Sequence, residues 1–133
     1  MTPDHELTET RLNLRRLAGA RVGRIVYTVG ALPAVLPVRY RLDGDGSVVI
    51  HAAARSQLVR AVSGALVAFE AGEVAEDGTG WSVTVLGRAD VADAHARRAA
   101  AEAPVPETLP VTIRIRPELV SGRTLPDADT RVA

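Results

Sequence analysis

Cysteine and lysine are both missing from the 133 residues, and aromatic residues make up only 3% of them. Without cysteine there is no disulfide, no thiolate metal site and no thiol nucleophile. All 16 basic residues are arginine, which, beside abundant Ala and Val, reads as the bias of a GC-rich genome rather than a selected chemistry. Sixteen acidic residues balance them for a net charge of zero, so no strong field draws the chain to a polyanion, and neither nucleic acid nor a membrane is an expected partner. No apolar run approaches the ~20 residues that a membrane span needs. The opening MTPDHELTET is polar and acidic, unlike a secretory signal, and the cytoplasm is the expected compartment. No Ser-His-Asp arrangement, GxGxxG or phosphate loop is present. His5 and His95 have no carboxylate or second histidine at ligand spacing, so no metal is expected. Chemistry, if there is any, would come from a bound cofactor.

What remains is a run of alternating segments. Hydrophobic content of 47% and a length of 133 residues suit one domain with a small core. The reading is a single domain over residues 1–125, with a flexible tail at 126–133. Leu7, Leu14 and Leu17 recur near helical spacing, predicting a helix over about 6–18 that Gly19 ends. Strands are expected over 24–28, 32–42, 47–52, 66–72, 81–90 and 111–116. In the second, Leu32, Ala34, Leu36, Val38, Tyr40 and Leu42 share one face, and Pro33, Val35, Pro37, Arg39 and Arg41 the other. Two prolines on one face predict an edge or a bulge near Pro37. Asp43-Gly44-Asp45-Gly46 is a turn signal joining the second and third strands. Ser56 is a good N-cap for a two-turn helix with Leu58, Val59 and Val62 as its apolar stripe, ended by Gly64. The length of the fifth strand predicts a bend across two sheets. Residues 93–103 read as a helix broken by Pro104, Pro106 and Pro110, and the last strand stops before Pro117. The class is mainly β with short helices: a six-stranded antiparallel barrel, since closure removes exposed strand edges.

The segments AGARVGRIVYT, LPAVLPVRYRLDG, VVIHAAARSQLVRAV, VAFEAGE, GTGWSVTVLGRADV and VTIRIRPELVSGR resemble, in order and spacing, the FMN-binding split-barrel family related to pyridoxamine 5′-phosphate oxidase. The likeness covers about residues 12–125. It implies a homodimer with a crevice between two barrels, binding FMN and a small-molecule substrate. The FMN phosphate would lie at the end of the third strand and the start of the next helix, where Arg55, the Ser56 hydroxyl and orphan backbone N–H groups offer a cradle. The alternative there is that Ser56 only caps its helix and Arg55 is solvated. The family usually carries Arg-Thr where this chain has His51 and Ala52, and Lys where it has Gln57, which predicts a weaker grip on FMN and leaves a deazaflavin, or no cofactor, as alternatives. By the same resemblance the backbone of Val38, Arg39 and Tyr40 runs beside the isoalloxazine ring, with Arg39 orienting its pyrimidine edge or the substrate. The alternative, preferred for Arg41, is solvation or an ion pair across the dimer. Trp81 either flanks the crevice or plugs the barrel end. His51 either lies near the phosphate, acts as a proton donor, or is structural. Glu70 is expected to pair with an arginine.

The function this implies is FMN-dependent oxidoreduction of an unknown small molecule. A flavin carrier or sensor, and a ligand-free split-barrel dimer serving as an interaction module, are the alternatives. Oxidation of pyridoxamine phosphate itself is not expected, because those enzymes use a longer C-terminal segment.

Overall fold

Helix α1 (Pro3–Gly19) leads through two residues into β1 (Val22–Val29), which turns back as β2 (Leu32–Arg39). A computed structural model describes residues 3–92 and 109–126, with side chains of α1 from Glu9 onward. The helix expected over 93–103, with its breakers Pro104 and Pro106, lies outside the described residues, as does the tail beyond Pro126. The turn between β1 and β2 is Gly30-Ala31, with φ of 52° and 69°. Two left-handed residues in a two-residue loop match the right-handed twist of the strands they join. Glycine adopts that conformation freely, whereas Ala31 does so at a cost.

After β2 come β3 (Arg41–Leu42), β4 (Val48–Ala53), α2 (Gln57–Val62), β5 (Leu66–Val74), β6 (Gly80–Ala92) and β7 (Pro110–Leu125). All seven strands form one antiparallel sheet in the order β2-β1-β5-β6-β7-β4-β3. That order settles the shape. β2 and β3 occupy opposite edges, yet only Tyr40 separates them in the chain, so the sheet has to curl until its edges meet. The result is a barrel with an open seam at Tyr40, the split barrel expected, with seven strands in place of six. The extra strand arises because the segment 32–42 changes partner at Tyr40, from β1 to β4.

Tyr40 is what holds the seam. Its N–H donates to the Arg21 carbonyl at 3.1 Å, and its hydroxyl donates to the Leu17 carbonyl, tying the end of α1 to the sheet. Its ring meets Phe69 edge-on at 4.6 Å, a favoured aromatic geometry. Around this pair the inward residues Ile25, Phe69, Val85, Ile113 and Ile115 are wholly buried. Along residues 32–42, Ala34, Val38 and Leu42 pack on the core and Tyr40 is buried, while Pro33, Val35, Pro37, Arg39 and Arg41 are exposed; Leu32 and Leu36, expected on the same face as Ala34 and Val38, are exposed as well. β2 is an edge strand, pairing only with β1, which is where prolines are tolerated.

Two expectations are corrected. β7 does not stop at Arg116 but continues through Pro117 to Leu125. Register shifts between Leu86 and Gly87, whose partners are Leu119 and Pro117, so Glu118 is left over as a bulge and the missing proline N–H falls at an irregular place in the ladder. Gly87 fits this point because a Cβ there would stand 2.0 Å from the Arg116 carbonyl oxygen. β6 stays within one continuous sheet along its whole length, rather than crossing between two sheets.

Candidate functional site

Most of the residues singled out in the sequence lie on β2, on β4 and at the start of α2, on either side of the change of partner at Tyr40. β3 pairs with β4 as Arg41↔Val49. Arg39 and Val38 end β2, His51 and Ala52 lie further along β4, and β2 and β4 come into contact. Arg39 and His51 both point outward and are exposed, whereas Val38 and Ala52 are half-buried against the core. His51 Nδ1 lies 3.5 Å from the Thr112 hydroxyl on β7.

Just beyond β4 the chain makes the turn that starts α2. The Ala54 N–H donates to the Leu109 carbonyl at 2.8 Å and the Ser56 N–H to the Ala53 carbonyl at 3.0 Å. Ser56 is the N-cap, with φ −67° and ψ 155°, and its Oγ accepts the Val59 N–H at 3.2 Å. The cap uses the oxygen as an acceptor, leaving the hydroxyl hydrogen free to donate. Arg55 and Gln57 flank it, both exposed. Six residues make α2 too short for a strong dipole, so an anion here has to be held chiefly by Arg55 and the Ser56 hydroxyl. No acidic residue occurs in 38–40 or 51–57. Exposed guanidinium groups, a hydroxyl donor and an imidazole without a competing carboxylate in these segments suit the phosphate of a nucleotide cofactor.

Trp81 is placed elsewhere. It pairs with Thr124 on β7 while His51 pairs with Thr112, so most of the length of that strand separates them within one chain. Trp81 is half-buried, packs on the core, and carries the Arg16 guanidinium of α1 at 5.9 Å from its ring centroid, a cation–π contact. Within one chain it therefore lies apart from His51 and α2, along the other half of β7.

Arg41 is committed to a network on the outer surface. It bonds Asp43, which also takes Arg114 at 2.5 Å, and Arg114 lies 3.9 Å from Asp45. Hydrogen bonds from Arg114 first, then Arg41, hold the Asp43 carboxyl below the usual carboxylate range. Glu70 pairs with Arg24 at 2.8 Å and accepts the Ser82 hydroxyl at 3.0 Å. Burial pushes the Tyr40 hydroxyl up to about 12, so at neutral pH it stays a donor.

One neighbouring feature was missed in the sequence. A cleft of about 580 Å³ at the C-terminal end of α1 has Arg21, Val22, Arg39, Arg41 and Leu42 among its lining residues. Arg21 carried no motif, and only the pairing Val22↔Arg39 brings it beside the seam.

An antiparallel sheet of seven strands, curled so that its edge strands β2 and β3 meet at Tyr40, defines a split barrel. The chain belongs to the pyridoxamine 5′-phosphate oxidase family, whose sequence profile matches residues 11–124. It is 36% identical over 128 residues to the uncharacterized protein Rv0080 of Mycobacterium tuberculosis, a match covering 88% of this chain and 84% of the relative. Among solved structures, an FAD binding protein from Mycobacterium smegmatis is similar at 28% identity and a TM-score of 0.68, covering 86% of this chain and 95% of its own. An FAD-binding protein from Mesorhizobium loti shares the fold at 21% identity and a TM-score of 0.65, covering 92% of this chain and 93% of its own.

Proposed function

We propose that this protein binds a flavin at the seam and acts as a flavin-dependent oxidoreductase on a small molecule, in the cytoplasm. The observation that carries the reading is that Arg39 ends β2, which contacts β4, while His51 lies on β4 and Arg55 and Ser56 follow it directly, with no acidic side chain in the segments that bear them. Family membership and the likeness to the M. smegmatis FAD binding protein support a flavin as the ligand. The cofactor proposed is FMN, or its dinucleotide form FAD. Arg55 would grip the phosphate through a charge-assisted bond and the Ser56 hydroxyl would add a donor. Arg39 would face the ring or the substrate, and the half-buried Val38 would keep water from its edge. When bound, a flavin supplies two-electron transfer, which no side chain of this protein offers.

The working unit is proposed to be a homodimer. On the outer surface of the sheet, Val35, Val26, Ala68, Leu86 and Leu119 are successive register partners, forming an aliphatic row across β2, β1, β5, β6 and β7. Val35 is 59% exposed, Leu86 38% and Leu119 57%. A continuous apolar band of this kind is a cost in water and marks a surface suited to a partner, here a second copy whose barrel would complete the crevice.

Gln57, a neutral exposed residue at the first position of α2, favours a second reading, a flavin or deazaflavin carrier that holds its ligand loosely. Titration of the full chain with FMN, followed by flavin fluorescence, tests the site. Gln57→Lys is expected to tighten binding about 5- to 10-fold, since it adds a charge-assisted contact, and Arg55→Ala to weaken it by a similar factor. Affinity unchanged in both variants would remove the phosphate assignment. Steady oxidation of a nicotinamide cofactor with FMN present selects the enzyme over the carrier.

A further inference from the structure

β7 is paired on both sides for only part of its length. β4 reaches it from Pro110 to Ile115, whereas β6 follows it to Leu125. Beyond Ile115 no strand among the described residues takes the place of β4, and α1 comes against this stretch instead, with Asn13 meeting Gly122. A cleft of about 670 Å³ lies between the two, lined by every residue from Glu118 to Gly122 together with Leu12, Asn13 and Arg16 of α1. Successive residues of a strand face opposite ways, so a cleft bordered by an unbroken run of them follows the strand's edge, where backbone N–H and C=O groups stand unpaired.

Asn13 gives the cleft its chemistry. It is 8% exposed, and its carboxamide is turned toward the strand: a Cβ at Gly122 would stand 2.1 Å from its Oδ1 and 3.0 Å from its Nδ2. Glycine at that position is what admits it. Among the described residues the carboxamide forms no hydrogen bond. None of their side-chain polar atoms is both sealed from solvent and unpaired, so this group keeps an opening, and the cleft that it lines supplies one. A mostly buried amide without a partner is a cost to the fold. It sets a donor beside an acceptor, as a peptide bond does, and the neighbouring strand edge repeats the same pair. Both suit one kind of ligand, a chain of amides.

Charge marks the two ends of the groove. Arg16, nearly one turn on from Asn13, stacks at 5.9 Å on Trp81, the partner of Thr124. Among the described residues neither Arg16 nor the exposed Glu118 at the other end forms an ion pair. Leu12, 43% exposed, adds aliphatic surface. We infer that this groove binds an extended peptide as an added strand on β7, with Asn13 bonding its backbone, an acidic group of the peptide at Arg16 and a basic one at Glu118. Strand addition of this kind takes its affinity from main-chain hydrogen bonds. The site stands independently of the flavin reading, since it lies along the half of β7 away from His51.

The probe is a capped hexapeptide of alternating valine and threonine with lysine at one end and glutamate at the other, made in both directions and titrated into the full chain by calorimetry. At least one direction is expected to bind, and the tighter of the two fixes whether the added strand is parallel or antiparallel. N-methylation of its backbone nitrogens is expected to weaken it at least tenfold, because the main-chain donors are lost. Asn13→Ala is expected to weaken the peptide at least fivefold while leaving the melting temperature unchanged or raised and FMN affinity unaltered. A merely structural role for Asn13 would lower the melting temperature instead. The inference is overturned if neither peptide binds, if the N-methylated form binds as well as its parent, or if Asn13→Ala lowers the melting temperature or leaves peptide affinity unchanged.

Discussion

Along β1, β5, β6 and β7 each strand has a partner on both sides, and the inward residues Ile25, Phe69, Val85 and Ile113 are wholly buried. At the seam β2 and β3 each pair on one side only, and Arg39, His51 and Arg55 reach solvent. Both regions are written in the same alternating pattern. What separates them is the ladder: where backbone groups are paired on both sides the strand only supports the core, and where pairing stops the polar groups become available to a ligand. The wall carries stability and the seam is where binding is proposed, joined through Tyr40.

Substitutions that break the wall should therefore have the largest effect on folding. Phe69→Ala removes the ring at the centre of the interior, against Tyr40, and is expected to cost about 3–5 kcal/mol in denaturant unfolding. If flavin affinity fell with fold stability unchanged, the division of labour would be wrong. Next, Leu86→Arg places a charge in the aliphatic row on the outside of the wall. It is expected to convert the proposed dimer to monomer in light scattering while leaving the melting temperature of the barrel little changed, and a dimer of unchanged size would move the interface elsewhere.

Tyr40 links the two regions and gives a pH signature. Its hydroxyl is raised from 10.0 to about 12 by burial, so the folded chain holds the proton more tightly than the unfolded one. Its contribution is present in full below pH 10 and is lost as pH rises from 10 toward 12. Tyr40→Phe is expected to flatten this alkaline decline, and to cost about 1 kcal/mol at neutral pH through the lost bond to Leu17. An equally steep decline in the variant would contradict it. The smallest effect belongs to the turn at the far end of β1 and β2. Ala31, at φ 69°, should gain about 0.5–1 kcal/mol on replacement by glycine, measured by thermal unfolding, with flavin affinity unaffected.

The wall was largely legible in the sequence because period-two alternation reports burial directly. Trp81, Val83, Val85, Gly87 and Ala89 read as one face and lie on one face. The Ser56 cap was legible because its chemistry is local. The change of partner at Tyr40 was not, since the alternation from Leu32 to Leu42 runs through it unbroken and only the sheet order reveals it. Pro117 read as a terminator for want of any local sign of the bulge at Glu118. Arg21 was invisible as a site residue because its place depends on pairing between β1 and β2 and on where α1 ends.

The central claim is that the interrupted ladder is where the cofactor binds. A crystal structure of the full chain grown with FMN tests it most directly. The phosphate is expected within hydrogen-bonding distance of Arg55 and the Ser56 hydroxyl, with the ring against Val38–Tyr40 and a second barrel across it. Phosphate bound away from Arg55 and Ser56, or a seam closed by its own side chains with FMN elsewhere, would contradict the account.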